Sequence, residues 1–313
     1  MRSCAHHLSR LRWLVATSPR ERSGTHTLLV LALSTSVMIS GCAARAAPHQ
    51  PMPHAVREFS APASIYGQDL TLHLASSPGR RNALSPLILY ERGDGGWFGT
   101  AVGMYRTIAA SGLNVVGFST KAFMNIAQSR RSPVASGHIA EGYRVIVDTA
   151  RRALGLADAP VILTGWSRGA SLAVLVAAHE PVGLRVRGVV AIGLAADEHL
   201  DVTSETDDDG ASSGAAAGTS RPARPGTFDV YSLIPRIAPR RCVVIQASGD
   251  GYLPAARARV LFGADSDLKR FVAIDAHNHR FDRGEKAFDD ALEQAIEWVS
   301  IENDSPSTAP GTH

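Results

Sequence analysis

Val161-Ile162-Leu163-Thr164-Gly165-Trp166-Ser167-Arg168-Gly169-Ala170-Ser171-Leu172-Ala173-Val174 is the stretch that sets the architecture of the chain. Val161–Thr164 has the continuous apolar, β-branched character of a strand covered on both faces. The small apolar residues from Gly169 onward continue as a helix. Between them lies the pattern G-x-S-x-G. A serine at such a junction sits on a sharp, strained turn, and its flanking positions must be small because strand and helix nearly collide there. The turn lifts the hydroxyl clear of the sheet and sets it at a helix N-terminus, where partial positive charge favours a developing anion. Ser167 is therefore the candidate nucleophile. The bland alternative is a Gly-rich turn without chemistry.

Outward from this junction, short apolar runs alternate with helical stretches. Further strands are expected at 70–75, 87–90, 114–118, 188–192, 242–246 and 271–274. Helices are expected at 99–111, 137–154, 169–179, 254–262 and 285–299. The last is amphipathic, with Phe288, Leu292, Ala295, Ile296 and Val299 on one side. Alternation of this kind predicts an α/β fold: a doubly wound, mostly parallel sheet of the α/β-hydrolase type, in a single domain over residues 56–300.

A serine hydroxyl is a weak nucleophile until a base takes its proton, and in this fold the base follows the final strand. Ala276-His277-Asn278-His279-Arg280-Phe281 occupies that place and offers two candidates. The pattern His-x-Phe before the last helix favours His279; His277 is the competitor. The two histidines lack a third metal ligand at any familiar spacing, so neither a metal nor another cofactor is expected. The acid that orients the base is expected in Ala247-Ser248-Gly249-Asp250-Gly251-Tyr252-Leu253-Pro254, as Asp250, with Asp197 and Asp201 as fallbacks. The order Ser167, Asp250, His279 is the hydrolase order. Two backbone N–H groups should hold the oxyanion: that of Arg168, after the nucleophile, and one from Arg92-Gly93-Asp94-Gly95-Gly96-Trp97. Asp94 is the first choice of donor and Gly95 the second. Arg92, Lys121 and Arg168 each follow the end of a strand that converges on this site, with Trp97 beside them as a further contact for substrate. Three converging cations would suit an anion such as a lipid phosphate, unless Glu91 and Asp94 neutralise them.

The N-terminal part of the 313-residue chain reads as an export signal. Residues 1–26 carry five arginines against the single acid Glu21, and the apolar run Thr27–Ile39 ends in Ser40-Gly41-Cys42. The apolar residue, two small residues and cysteine resemble a bacterial lipobox, which would make Cys42 the lipidated first residue of the mature protein. An ordinary signal peptide cut within 43–47 and an uncleaved anchor are the alternatives. Residues 42–55, rich in Pro and Ala, read as a tether. Without residues 1–41 the chain has 27 basic against 28 acidic residues, so its basic isoelectric point gives no reason to expect nucleic-acid binding. Of three cysteines only Cys242 falls in the domain, so no disulfide framework is expected. Residues 201–226 hold almost no large apolar side chains and read as a disordered insertion, with a lid as the alternative. Residues 301–313 read as a flexible tail.

Gly93-Asp94-Gly95-Gly96-Trp97, then Gly112-Leu113-Asn114-Val115-Val116-Gly117-Phe118-Ser119, then Lys121-Ala122-Phe123 and the elbow together resemble the VirJ/AcvB family of bacterial virulence-associated periplasmic proteins. The resemblance is best over residues 86–195, and the five-residue loop is its most specific element. It implies hydrolysis of lysyl-phosphatidylglycerol at the periplasmic face, hence a lipid-linked or aminoacyl-lipid ester substrate. At the elbow the family carries Tyr and Phe where this chain has Trp166 and Arg168. The expected function is thus an exported serine hydrolase that cleaves an ester by acyl transfer, bound to the periplasmic side of a membrane through its lipid anchor or free in the periplasm. The rival is a non-catalytic periplasmic adaptor that keeps the fold to bind a protein partner.

Overall fold

A computed structural model describes residues 56–77, 85–94, 96–130, 134–200 and 226–301. The export signal 1–41 with Cys42, the tether 42–55, Gly95, the insertion from 201 to 225 and the tail beyond Ile301 lie outside the described residues.

The strands are β1 (Arg57–Ile65), β2 (Gln68–Ser76), β3 (Leu87–Arg92), β4 (Asn114–Ser119), β5 (Val161–Trp166), β6 (Val186–Ile192), β7 (Asp197–His199), β8 (Thr227–Asp229), β9 (Arg241–Ala247) and β10 (Lys269–Ile274). The helices are α1 (Thr100–Ala110), α2 (Thr120–Arg130), α3 (Ser136–Leu154), α4 (Arg168–Ala178), α5 (Ala255–Phe262) and α6 (Glu285–Ser300), with a 3-10 helix at Tyr231–Ile237. Eight strands form one sheet in the order β1-β2-β4-β3-β5-β6-β9-β10. β1 and β2 pair antiparallel, β2 meets β4 antiparallel, and every pairing from β4 to β10 is parallel. This is the expected mostly parallel, doubly wound sheet of the α/β-hydrolase fold, in one domain.

Period-two alternation divides the core into two layers. Leu87, Leu89, Val161, Leu163, Val189 and Val244 face one side and pack against α2, α3, α4, α5 and the 3-10 helix. Ile88, Tyr90, Ile162, Trp166, Val190 and Ile245 face the other, against α1 and α6. Burial on both faces explains why the central strands lack polar alternation. Cys242 is one of the inward residues, and burial pushes its thiol pKa up to about 12, so it packs as a small apolar side chain.

The sequence reading missed three features. β1 alternates only weakly and contains Pro62, which is tolerated because β1 is an edge strand. It joins β2 through Tyr66 (φ 52°) and Gly67 (φ 79°), two positive-φ residues of the kind a primed hairpin turn requires. α2 has a polar composition, yet it buries Phe123, Met124 and Ala127. β7 and β8 form a separate two-stranded hairpin that brackets residues 201–225.

Helix α3 ends where Gly155 turns left-handed (φ 70°, ψ 35°) and Leu156 N–H donates to Arg151 O at 2.8 Å. In the same turn the Arg151 side chain is buried and donates to the carbonyls of Ala159 (2.7 Å), Leu184 (2.8 Å) and Gly183 (3.1 Å). One guanidinium thus satisfies the loops that lead into β5 and β6. Arg151→Leu strands those carbonyls in a low-dielectric site. It is expected to cost about 3 kcal/mol of stability, measured by urea unfolding. A loss below about 1 kcal/mol would show that the carbonyls find other donors.

Candidate active site

The elbow forms as the sequence requires. Ser167 caps α4 with φ 59° and ψ −127°, a region that side-chain-bearing residues seldom occupy. Two glycines make this possible. A Cβ on Gly165 would collide with the Gly169 backbone, and one on Gly169 would lie 2.7 Å from Glu91 Cγ and 2.8 Å from Glu91 O. Across the turn, a Cβ on Gly93 would come within 3.0 Å of Ser167 Cβ and 3.3 Å of its Oγ. The backbone after β3 is therefore pressed against the serine. Ser167 N–H donates to Ile192 O at 2.8 Å, which ties the elbow to the end of β6.

The next residue, Gly193, has φ 59°, and a Cβ there would lie 2.6 Å from His279 Cε1. The imidazole thus rests on the backbone that follows the elbow's anchor. Its Nδ1 is 2.7 Å from Asp250 Oδ2. Asp250 is buried, and its second oxygen accepts from the N–H groups of Tyr252 (2.9 Å) and Leu253 (3.4 Å). Gln246, buried at the end of β9, donates to Asp250 Oδ2 at 3.1 Å and to Leu253 O at 2.6 Å. Its Oε1 accepts from Leu194 N at 2.9 Å. The Tyr252 ring meets His279 edge-on, with centroids 5.0 Å apart. With Nδ1 bound to the carboxylate, Nε2 is the nitrogen left for a proton in transit. That atom is buried and has no hydrogen bond among the described residues. Hydrogen bonds of this kind are often long before substrate binds. The competitor His277 is exposed, and Asp197 is an exposed residue of β7 while Asp201 is outside the described residues.

The Arg168 N–H opens helix α4 and has no acceptor inside it. Gly93 lies 3.2 Å from that nitrogen, measured from its would-be Cβ, so the loop carrying Asp94 borders it. The cations that follow β3, β4 and β5 separate. Arg168 pairs with Asp94 and Glu198. Arg92 places its guanidinium 5.4 Å from the Trp166 ring and donates to Thr100 Oγ1. Lys121 is exposed. Trp97 turns into the α1 layer, stacked on His73 at 4.5 Å and edge-on to Tyr105 at 5.3 Å. It also lies against Gly117, where no side chain could fit. Among the described residues no group of His, Cys, Asp or Glu is arranged to hold a metal ion. A groove of ≈ 440 Å³ between α1 and α6, floored by Ile108, Leu113, Leu292 and Ile296, shares no residue with this site.

Sequence reading overlooked Gly193, Gln246, Glu198, Tyr252 and the core role of Glu91. A polar residue ending the apolar run Cys242–Ile245 was the one available signal, for Gln246. Glu91 is wholly buried beneath the elbow, where Tyr143 and Thr120 donate to its Oε2 while Oε1 has no partner among the described residues. Burial holds its pKa well above the ordinary carboxylate range, against the opposing pull of the two hydroxyls.

The sheet order, the strained serine and the His–Asp pair define a hydrolase-type α/β fold. No family model matches the chain, and no curated protein does. Solved structures do. A candidate dienelactone hydrolase from Klebsiella pneumoniae superposes with TM-score 0.58 at 12% identity, over 79% of this chain and 100% of that one. Est1E from Butyrivibrio proteoclasticus gives 0.53 at 16%, over 77% and 99%. A dienelactone hydrolase from Anabaena variabilis gives 0.53 at 16%, over 78% and 98%. At these identities the likeness establishes the fold.

A buried Glu91 has a consequence for stability. The unfolded chain ionises this group near pH 4.3, whereas burial raises its pKa well above that in the fold. The native state then binds more protons than the unfolded one, so this contribution to stability falls as pH rises above about 4.3. Glu91→Gln, neutral at every pH, is expected to gain stability on the parent as pH rises above about 4.3, in paired urea titrations. Parallel pH curves would mean that the carboxyl is ionised in the fold.

Proposed function

We propose that this chain is a serine hydrolase that cleaves an ester-type bond by acyl transfer. The observation that carries the reading is the 2.7 Å bond from His279 to buried Asp250, with the imidazole lying on the backbone just after the residue that anchors the Ser167 elbow. Ser167 attacks the carbonyl while His279 Nε2 takes its proton; Asp250 stabilises the imidazolium that results. The N–H groups of Arg168 and Asp94 receive the oxyanion. His279 then gives its proton to the leaving alcohol, and water repeats the sequence to release the acid. The dienelactone hydrolases among the neighbours act, by name, on a lactone, which is an ester.

Export through residues 1–41, lipidation at Cys42 and a lipid-linked or aminoacyl-lipid substrate extend this proposal. They rest on the lipobox-like sequence and on the VirJ/AcvB-like loop Gly93–Trp97. No helix among the described residues is long and apolar enough to cross a membrane.

Ser167→Ala is expected to abolish both fluorophosphonate labelling and p-nitrophenyl ester turnover, a loss of about 1,000-fold or more, with its thermal transition nearly unchanged. Parental protein that neither labels nor turns over esters would favour the adaptor reading instead.

His279→Ala should match the serine variant in the same ester assay, while His277→Ala keeps most of the rate, because His277 is exposed and His279 holds the buried acid. The reverse pattern would move the base to His277.

A further inference from the structure

Arg168 combines two roles that are seldom joined in one residue. Its main chain opens helix α4 directly after Ser167, and its side chain reaches two distant segments. Nη1 donates to Asp94 Oδ1 at 2.7 Å, in the loop after β3. Nε donates to Glu198 Oε1 at 3.1 Å, on strand β7. The guanidinium is 16% exposed and the Glu198 carboxylate 10%, whereas Asp94 is 63% exposed. Burial alone would weaken the Arg168 charge, but Glu198 and Asp94 more than offset it, and its pKa ends above the ordinary arginine value. The cation is thus permanent, and two of its five N–H donors are committed to carboxylates.

The loop that it holds is rich in glycine. Gly93 carries no side chain, and Gly96 (φ 73°) and Gly99 (φ 55°) adopt conformations that other residues resist. Such a loop can approach Ser167 closely, but glycine-rich backbone loses its position readily. An oxyanion hole works only when its donors stand ready before charge develops.

We propose that Arg168 is the positioning residue of the oxyanion hole, its side chain, braced by Glu198, pinning Asp94 so that the N–H groups of Asp94 and Arg168 stay convergent. The two residues that carry the two donors are then also the two ends of one ion pair. Donor separation is set by a side-chain contact as well as by the backbone. The β7–β8 hairpin enters as the brace: Glu198 pairs with Phe228 across it, and Phe228 packs on the core layer that holds α4.

This inference rests on the serine-hydrolase reading, and Asp94→Ala tests it. The substitution keeps the N–H and removes only the tether. Because Asp94 is mostly exposed, the thermal transition should barely move. On p-nitrophenyl acetate, kcat should fall at least about 10-fold, short of the ~100-fold or more that follows loss of a whole donor, with KM within about 2-fold. Asp94→Asn, whose amide oxygen can still accept from Arg168, should restore part of kcat. Arg168→Lys, which can reach one carboxylate but not fork between two, should resemble Asp94→Ala. Parental turnover that Ser167→Ala abolishes, combined with unchanged kcat in Asp94→Ala and Arg168→Lys, overturns the positioning role and leaves the hydrolase reading standing. A rise in KM at constant kcat also overturns it, since the pair would then be binding substrate. Parental protein without Ser167-dependent turnover sinks both readings together.

Discussion

The structure depends on one close approach. Strand β5, helix α4 and the end of β3 meet where Gly165 and Gly169 leave no room for a Cβ and Gly93 leaves little, and the serine between the first two is forced to φ 59°. Unfavourable backbone geometry of this kind persists only where the surroundings over-determine it. Here they do: β5 is fully buried between β3 and β6, every residue at the start of α4 from Gly169 to Ala177 is buried, and Ser167 N–H is bonded to Ile192 O. The strain lifts Ser167 Oγ out of the sheet. Every other part of the site is arranged around that point.

The polar groups divide by what lies beneath them. Asp250 sits in a closed shell of donors from Tyr252, Leu253, Gln246 and His279, so its buried charge is compensated. Gln246 extends that shell to Leu194, which couples the loop after β6, where the imidazole rests, to the loop that holds the acid. Glu91 is the contrast. It is just as buried, but among the described residues its hydrogen-bond partners are two hydroxyls, and burial raises its pKa. Two carboxyl groups near one serine thus meet opposite surroundings: Asp250 is ringed by donors, whereas Glu91 meets two hydroxyls.

How much was legible in the sequence follows from what each feature depends on. The central strands, five of the helices and the chain order of Ser167, Asp250 and His279 rest on local patterns: apolar runs, periodicity and turn residues near strand ends. These survive in a linear text. β1 and α2 did not show, because their partner surfaces, rather than their own composition, decide them. The choice of His279 over His277 drew only on a short pattern. In the structure it rests on a residue no pattern singled out, Gly193, whose missing side chain makes the space that the ring occupies.

The three basic residues after β3, β4 and β5 show where such reading stops. Sequence places them correctly at the ends of converging strands, since position along a parallel sheet is a matter of topology. It says nothing about which acids they meet. Asp94 and Glu198 stand 74 and 30 residues from Arg168, and Glu198 belongs to a hairpin of three-residue strands with almost no signal. Arg92 lies over Trp166 instead, and Lys121 faces solvent. Similar charges at similar topological sites thereby do different work. A basic residue after a nucleophile could steer an anionic substrate or brace the loop opposite. The ion-pair partners of Arg168, Asp94 and Glu198, favour the second.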